Sequence, residues 1–163
     1  MSTYLSIDNY IYVSDHPLND NDIQVSDCPS PYHLFDYDNK EWYIDIDLLK
    51  EVKLAEIYEE FEYRLNENVG YYSQTINKVI NSRRADLDNM YKLLDEMENK
   101  GIKTTLFRCY DDDYVTITID QLKQMIQELI DFGLYLYHKK WQYENQILNE
   151  TNIDILINIK WED

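Results

Sequence analysis

TTLFRCYDDDYVTITIDQLKQMI, residues 104–126, decides the fold class. Thr104–Tyr110 and Tyr114–Ile117 are β-rich runs joined by Asp111, Asp112 and Asp113, a pattern that predicts a hairpin with an acidic tip. Thr118 and Gln121 then stand at capping-box spacing, so a helix opens where the second strand closes. Its apolar stripe is Leu122, Met125, Ile126, Leu129, Gly133, Leu136, Tyr137, Trp141 and Ile147, which makes it the longest helix in the chain. A hairpin that leads directly into a long amphipathic helix predicts an α+β class with helices dominant and a small antiparallel sheet.

Upstream, the same periodicity predicts two more helices. Leu48, Val52, Ala55, Tyr58, Phe61 and Leu65 form a stripe running from Asp47 to about Asn66, and Gly70 ends it. Tyr71, Tyr72 and Ile76 read as a short extended stretch. A second helix follows with Ser82 as N-cap, the stripe Leu87, Met90, Tyr91, Leu94 and Met97, and Gly101 as its left-handed stop. Downstream, Ile153, Ile155, Ile157 and Ile159 alternate, which fits a closing strand and equally one or two further helical turns.

Residues 1–46 differ in kind. They hold all three prolines (Pro17, Pro29 and Pro31), strand-like pieces at Tyr10–Val13 and Trp42–Ile44, and turn clusters at Asn19–Asp22 and Asp36–Lys40. The division is therefore a strand- and loop-rich acidic segment, 1–46, ahead of a helical α+β core, 47–163. Of the formal net charge of −17 over 163 residues, −8 lies in the first 50. A surface this acidic repels phosphate and argues against direct nucleic-acid binding. Spread over a surface on the order of 8,600 Å², the charge is roughly five times sparser than on duplex DNA. Imitation of nucleic acid would therefore need clustering on one face, and Glu56, Glu59 and Glu60, with Glu62 and Glu67, form the best row, broken by Arg64.

Catalytic templates fail in turn. Three glycines leave no Gly-rich phosphate loop. His16, His33 and His138 offer no zinc-helix spacing, and Cys28 and Cys109 lie 81 residues apart without a CxxC partner, so they read as free thiols in a reducing compartment. Asp36-Tyr37-Asp38 begins like a calcium loop but has Glu41 where glycine is needed and Asp47 where a bidentate Glu is needed, so it reads as a tight turn presenting Trp42. Glu51-Val52-Lys53 has the letters of a nuclease element, but on a helix with Val52 facing the core. No catalytic residue, metal ligand or cofactor is assigned. The first 17 residues have neither a basic start nor an unbroken apolar run, and nothing reads as a signal peptide or a membrane span. Sixteen tyrosines are the remaining oddity. Tyr and Trp bury large area at low entropic cost at interfaces, although an A+T-biased coding sequence enriches Tyr as well.

The order YYSQTINKVINSRRADLDNMYKLLDEM, then LFRCYDDDYVTIT, then LKQMIQELIDFGLYLYHKKWQYENQI, resembles an uncharacterised domain family common in phage and prophage genomes and often encoded beside tail-fibre genes. The resemblance covers about residues 50–160. The upstream piece with Pro29, Pro31, Tyr37 and Trp42 resembles the short N-terminal module of tail-fibre assembly proteins. What the resemblance implies is a non-enzymatic, tail-associated structural or assembly role, in the host cytoplasm during synthesis or in the virion. A phage tail or fibre protein would be the partner, met through Tyr32, Tyr37, Trp42 and Tyr43. The alternative is an acidic anti-defence inhibitor of a host nucleic-acid-binding enzyme, using Glu56, Glu59 and Glu60. Self-pairing through Tyr137 and Trp141 of the long helix is a further expectation. Arg83 and Arg84 stand in the first turn of a helix, where the dipole disfavours them. Asp86 and Asp88 offset this, and an Arg is expected to reach the acidic hairpin tip.

Overall fold

The computed structural model describes residues 1–6, 8, 10–67 and 69–162. The chain packs as two units: Met1–Lys53 with Asn149–Ile159, and Leu54–Leu148 with Lys160–Asp163. Its class is mixed α and β with small antiparallel sheets, as the hairpin-then-helix stretch predicts.

In the first unit, strand β1 (Ser2–Leu5) lies between β2 (Ile11–Ser14) and β3 (Ile23–Val25), antiparallel to both. Being central, β1 is buried at Thr3, Tyr4 and Leu5. Polar ties close the loops around it: Thr3 Oγ1 donates to Asp27 at 2.5 Å and Tyr12 Oη donates to Asp22 at 2.6 Å. Burial, then the Asp22 hydrogen bond, pushes the Tyr12 phenol up. A second hairpin pairs β4 (Leu34–Asp36) with β5 (Glu41–Tyr43). Helix α1 (Ile46–Asn66) starts in this unit, and α4 (Ile153–Asn158) belongs to it. The isoleucine alternation of the tail is thus helical, opened by Asn152, whose side chain accepts from the Asp154 and Ile155 amides.

The buried stripe of α1 is Leu49, Lys53, Ile57 and Phe61. This corrects the expected stripe, in which Leu48, Val52, Ala55 and Tyr58 faced inward; all four are exposed. A lysine at a buried position conceals the true period. Lys53 is 2% exposed, with its ammonium 5.3 Å from the centre of the Tyr32 ring.

In the second unit, α1 ends before the hairpin of β6 (Tyr71–Ser73) and β7 (Lys78–Ile80). Of the expected extended stretch, Tyr71 and Tyr72 lie in β6 and Ile76 lies in the hairpin turn, which is held by Glu128 accepting from the Thr75 amide and hydroxyl at 3.0 and 2.9 Å. Helix α2 (Arg84–Lys100) follows, then the hairpin of β8 (Thr104–Arg108) and β9 (Tyr114–Thr118), then α3 (Ile119–Asn149). Thr118 and Gln121 form the expected reciprocal cap at 2.9 and 3.2 Å, and Gly101 closes α2 at φ 67°. The core is Ile80, Met90, Met97, Ile117, Leu122, Met125, Ile126 and Leu129. Tyr91 and Trp141, expected on inward stripes, are about half exposed.

Two details at α2 differ from expectation. The N-cap is Arg83, not Ser82. Arginine has no acceptor, so only the return half of a capping box forms: Asp86 accepts from the Arg83 amide at 3.0 Å and from its guanidinium at 2.8 and 3.0 Å. The acidic hairpin tip is held instead by Lys78 on Asp113 at 2.7 Å and Arg108 on Asp112 at 2.6 Å. Cys28 is exposed, Cys109 is buried with its thiol pushed up by that burial, and both are free. No helix among the described residues is long and apolar enough to cross a membrane.

Two predictions test this account. Ile117→Ala should lower the unfolding free energy by about 2–5 kcal/mol, whereas Tyr72→Ser, at an exposed strand position, should change it by less than about 0.5 kcal/mol; urea denaturation followed by near-ultraviolet dichroism measures both. The second concerns pH. The hydrogen bond from Lys78 holds the Asp113 carboxyl below its ordinary value, and the same bond raises Lys78. A lowered acid contributes fully above its unfolded value and loses that contribution as pH falls through its folded value. A raised base contributes fully below its unfolded value and loses it as pH rises through its folded one. The melting-temperature gap between the native chain and Lys78→Gln should therefore be small but constant from about pH 4 to about pH 10 and shrink on either side.

Candidate functional site

The expected contact residues fall into two groups, one in each unit. In the first unit, Asp36 anchors the β4–β5 turn: one carboxylate oxygen accepts from the Asp38 and Asn39 amides at 2.9 and 3.0 Å, and the other from the Asn39 side chain at 2.7 Å. These bonds, the Asn39 amide first, hold the Asp36 carboxyl below its ordinary value. Lys40 completes the turn at φ 58°. Phe35 faces Trp42 across the pair, with ring centres 5.0 Å apart, and Tyr37 meets Phe35 edge-on at 5.3 Å. The Trp42 indole donates to the Ser26 carbonyl at 2.8 Å. Trp42 and Tyr32 are half-buried and serve packing. Tyr37 and Tyr43, 42% and 45% exposed, are the two that present themselves to solvent. Because side chains alternate along a strand, Tyr43 is on the face opposite Trp42.

In the second unit the glutamate row is not a uniform carboxylate surface. Glu60 is paired with Arg64 at 2.7 Å, and Glu56 and Glu60 line a recess with Lys160 and Trp161. Glu59 is exposed. Lys140 sits among the rings of Phe61, Tyr58 and Tyr137 at 4.8 to 5.9 Å, so the aromatic side of α3 already holds a cation. Among the described residues no group of three or more His, Cys, Asp or Glu is placed to hold a metal ion.

A cavity of about 220 Å³ also lies in the second unit, and of its lining only Tyr137 was expected at a contact surface, in self-pairing of the long helix. Leu65 of α1, Leu87 of α2, and Leu129, Phe132 and Tyr137 of α3 make its wall apolar; Ser82, Arg83 and Arg84 stand at the start of α2 on its edge. Ser82 is 8% exposed, and its hydroxyl has no hydrogen-bond partner among the described residues. Gly133 of α3 completes the lining. Glycine inside a helix costs about 1 kcal/mol relative to alanine, and here no neighbour demands it: a Cβ at Gly133 would meet nothing within 4 Å. The other two glycines are required by backbone shape, Gly70 at φ 73° and Gly101 at φ 67°. Two sequence signals pointed to this place, a glycine inside a helical stripe and a pair of arginines at a helix start.

A family model described as a domain of unknown function, DUF4376, matches residues 49–160. The chain belongs to the DUF4376 family. The DUF4376 stretch begins within α1 and runs past α4, so it contains the cavity, while Tyr32, Tyr37, Trp42 and Tyr43 lie ahead of it. No curated protein and no solved structure matches the chain.

The glycines separate cleanly by experiment. Gly133→Ala should stabilise the protein by about 0.4–1 kcal/mol. Gly70→Ala should destabilise it by more than that, since a Cβ there has the wrong φ and meets Val79 Cγ1 at 2.8 Å. Paired thermal and urea melts give both signs.

Proposed function

We propose that this protein is a phage or prophage tail-associated structural or assembly factor that works by protein–protein contact and not by catalysis. The observation that carries the reading is the β4–β5 hairpin. A turn fixed by Asp36 holds Tyr37 exposed beside the packed Phe35–Trp42 pair and Tyr43 exposed on the opposite face, within the acidic segment that precedes the DUF4376 match. A rigid hairpin loses little entropy when its tyrosines are covered, which favours use as an anchor. The resemblance of residues 29–42 to the N-terminal module of tail-fibre assembly proteins, and of the rest to a family encoded beside tail-fibre genes, supports a tail or fibre protein as partner. On this reading the protein is made in the host cytoplasm and acts there during particle assembly or within the virion.

The test is affinity capture with the full chain from cells producing particles, together with mass spectrometry of purified virions. The expected result is recovery of a tail or fibre protein that persists from about 50 mM to about 500 mM salt, because buried aromatic contact is weakly screened. Tyr37→Ser with Tyr43→Ser should abolish capture without moving the melting temperature by more than a degree or two. Capture of a basic nuclease that is lost steeply as salt rises would overturn this reading in favour of an acidic inhibitor acting through the glutamates.

A further inference from the structure

The solvent-facing side of α3 differs from the exposed side of α2 in charge and in spacing. From Leu134 to Leu148 no exposed residue of α3 is Asp, Glu, Lys or Arg, in a chain of which 29% is charged. The charged residues of that stretch are half-buried: Lys140 pairs with Glu144 at 3.5 Å, and Lys139 donates to the Tyr135 hydroxyl at 3.1 Å. Exposed positions of α2, by contrast, carry Arg84, Asp88, Lys92, Asp95 and Glu96. The exposed apolar residues of α3 also recur in sevens. Leu134, Trp141 and Leu148 are 50%, 51% and 59% exposed. His138 and Asn145, also exposed, follow the first two by four residues, so the five make one coiled-coil-like seam. The Trp141 ring is bracketed by Tyr137 at 5.8 Å and His138 at 5.6 Å. Tyr137 itself is half-buried against Phe61 at 4.8 Å, which leaves Trp141 as the one of that pair to reach outward.

We propose that this seam is a homodimer interface in which α3 packs antiparallel against α3 of a second copy, about a twofold axis at Trp141. A twofold interface must complement itself, and the seam does so about Trp141. Leu134 meets the partner's Leu148, Trp141 meets its own counterpart, and His138 falls beside the partner's Asn145, so apolar and polar layers alternate. Charge selects the direction. A chain of net charge −17 repels its own copy, and a face without charged residues is where that repulsion costs least. Asp131, exposed one turn before Leu134, would stand beside the partner's Asp131 in a parallel pair. Antiparallel pairing separates the two by about 30 Å along the axis, several times the screening length of about 8 Å, and opposes the helix dipoles. Half exposed, Leu134, Tyr135, Trp141 and Leu148 leave on the order of 400 Å² of mostly apolar surface per copy. At the roughly 65% apolar character of homodimer contacts, this corresponds to an interface of about 1,200 Å², the lower edge of the stable range. The inference is independent of the tail-associated reading, whose tyrosines lie in the first unit.

The test is sedimentation equilibrium of the full chain from about 1 µM to about 200 µM in about 0.15 M salt. The expected result is a monomer–dimer equilibrium with a Kd on the order of 10 µM, as befits an interface of this size. Association should tighten at about 0.5 M salt, because the repulsion between the two acidic chains is screened. Trp141→Glu, which sets like charges together at the axis, should weaken association at least about tenfold and leave the far-ultraviolet dichroism of the dilute chain unchanged. Leu134→Lys and Leu148→Glu should each weaken self-association. An equimolar mixture of those two variants should recover a dimer, because antiparallel pairing sets the new cation against the new anion and keeps the other leucine layer intact. A chain that stays monomeric up to about 200 µM would leave the face to another protein and overturn the proposal. Native-like association of Trp141→Glu, weakening by added salt, or a mixture that associates no better than its single variants would overturn it as well.

Discussion

Burial of one face of α3 is the constraint on which the second unit depends. Leu122, Met125, Ile126 and Leu129 are withdrawn from water against Ile80, Met90, Met97 and Ile117, so a single helical face collects β7, α2 and β9 into one core. Side chains this size contribute about 1.5–3 kcal/mol each when fully buried, far more than any exposed ion pair. Everything else in the unit is placed by that core. The β6–β7 turn is hung on α3 through Glu128, and β9 passes directly into α3 through the Thr118–Gln121 cap. The start of α2 is set beside the middle of α3, which is where the cavity opens.

The same constraint explains why a gap persists in a protein with so much apolar side chain to fill it. Between the buried residues Leu129 and Leu136 of α3, one turn after Leu129, the chain carries glycine instead of another large residue. A leucine or methionine at that position would have continued the apolar stripe in the sequence. The opening therefore follows from a residue choice that local helix energetics disfavours, whereas Gly70 and Gly101 are dictated by positive φ.

Much of this architecture was legible in the sequence where period and punctuation agreed. The hairpin at Thr104–Thr118, the cap at Thr118 and the stop at Gly101 are local devices, and local devices can be read from neighbours in sequence. The stripe of α1 could not, because Lys53 occupies an inward position and its ammonium is accommodated by the Tyr32 ring, a contact set by tertiary structure. Strand β1 escaped notice because a central strand buried on both faces shows no alternation. Of the expected contact residues, Tyr37, Trp42 and Tyr43 fall on one hairpin, but the sequence could not tell which of these aromatics pack. Trp42 and Tyr32 are half-buried, whereas Tyr37 and Tyr43 are exposed.

Charge is the property in which sequence arithmetic and structure differ most in meaning. A net −17 describes a surplus, but in the second unit acids and bases are placed in local pairs: Asp86 with Arg83, Asp113 with Lys78, Asp112 with Arg108, Glu98 with Lys123 and Glu60 with Arg64. Such pairs are worth little individually in stability, yet each cancels the far field of two residues and leaves a nearly neutral patch. A site in this unit is therefore governed by what stands within a few ångströms of it and not by the total. At the start of α2, Arg83 and Arg84 stand against Asp86 and Asp88, so the cavity edge is locally balanced in a chain whose net charge is −17.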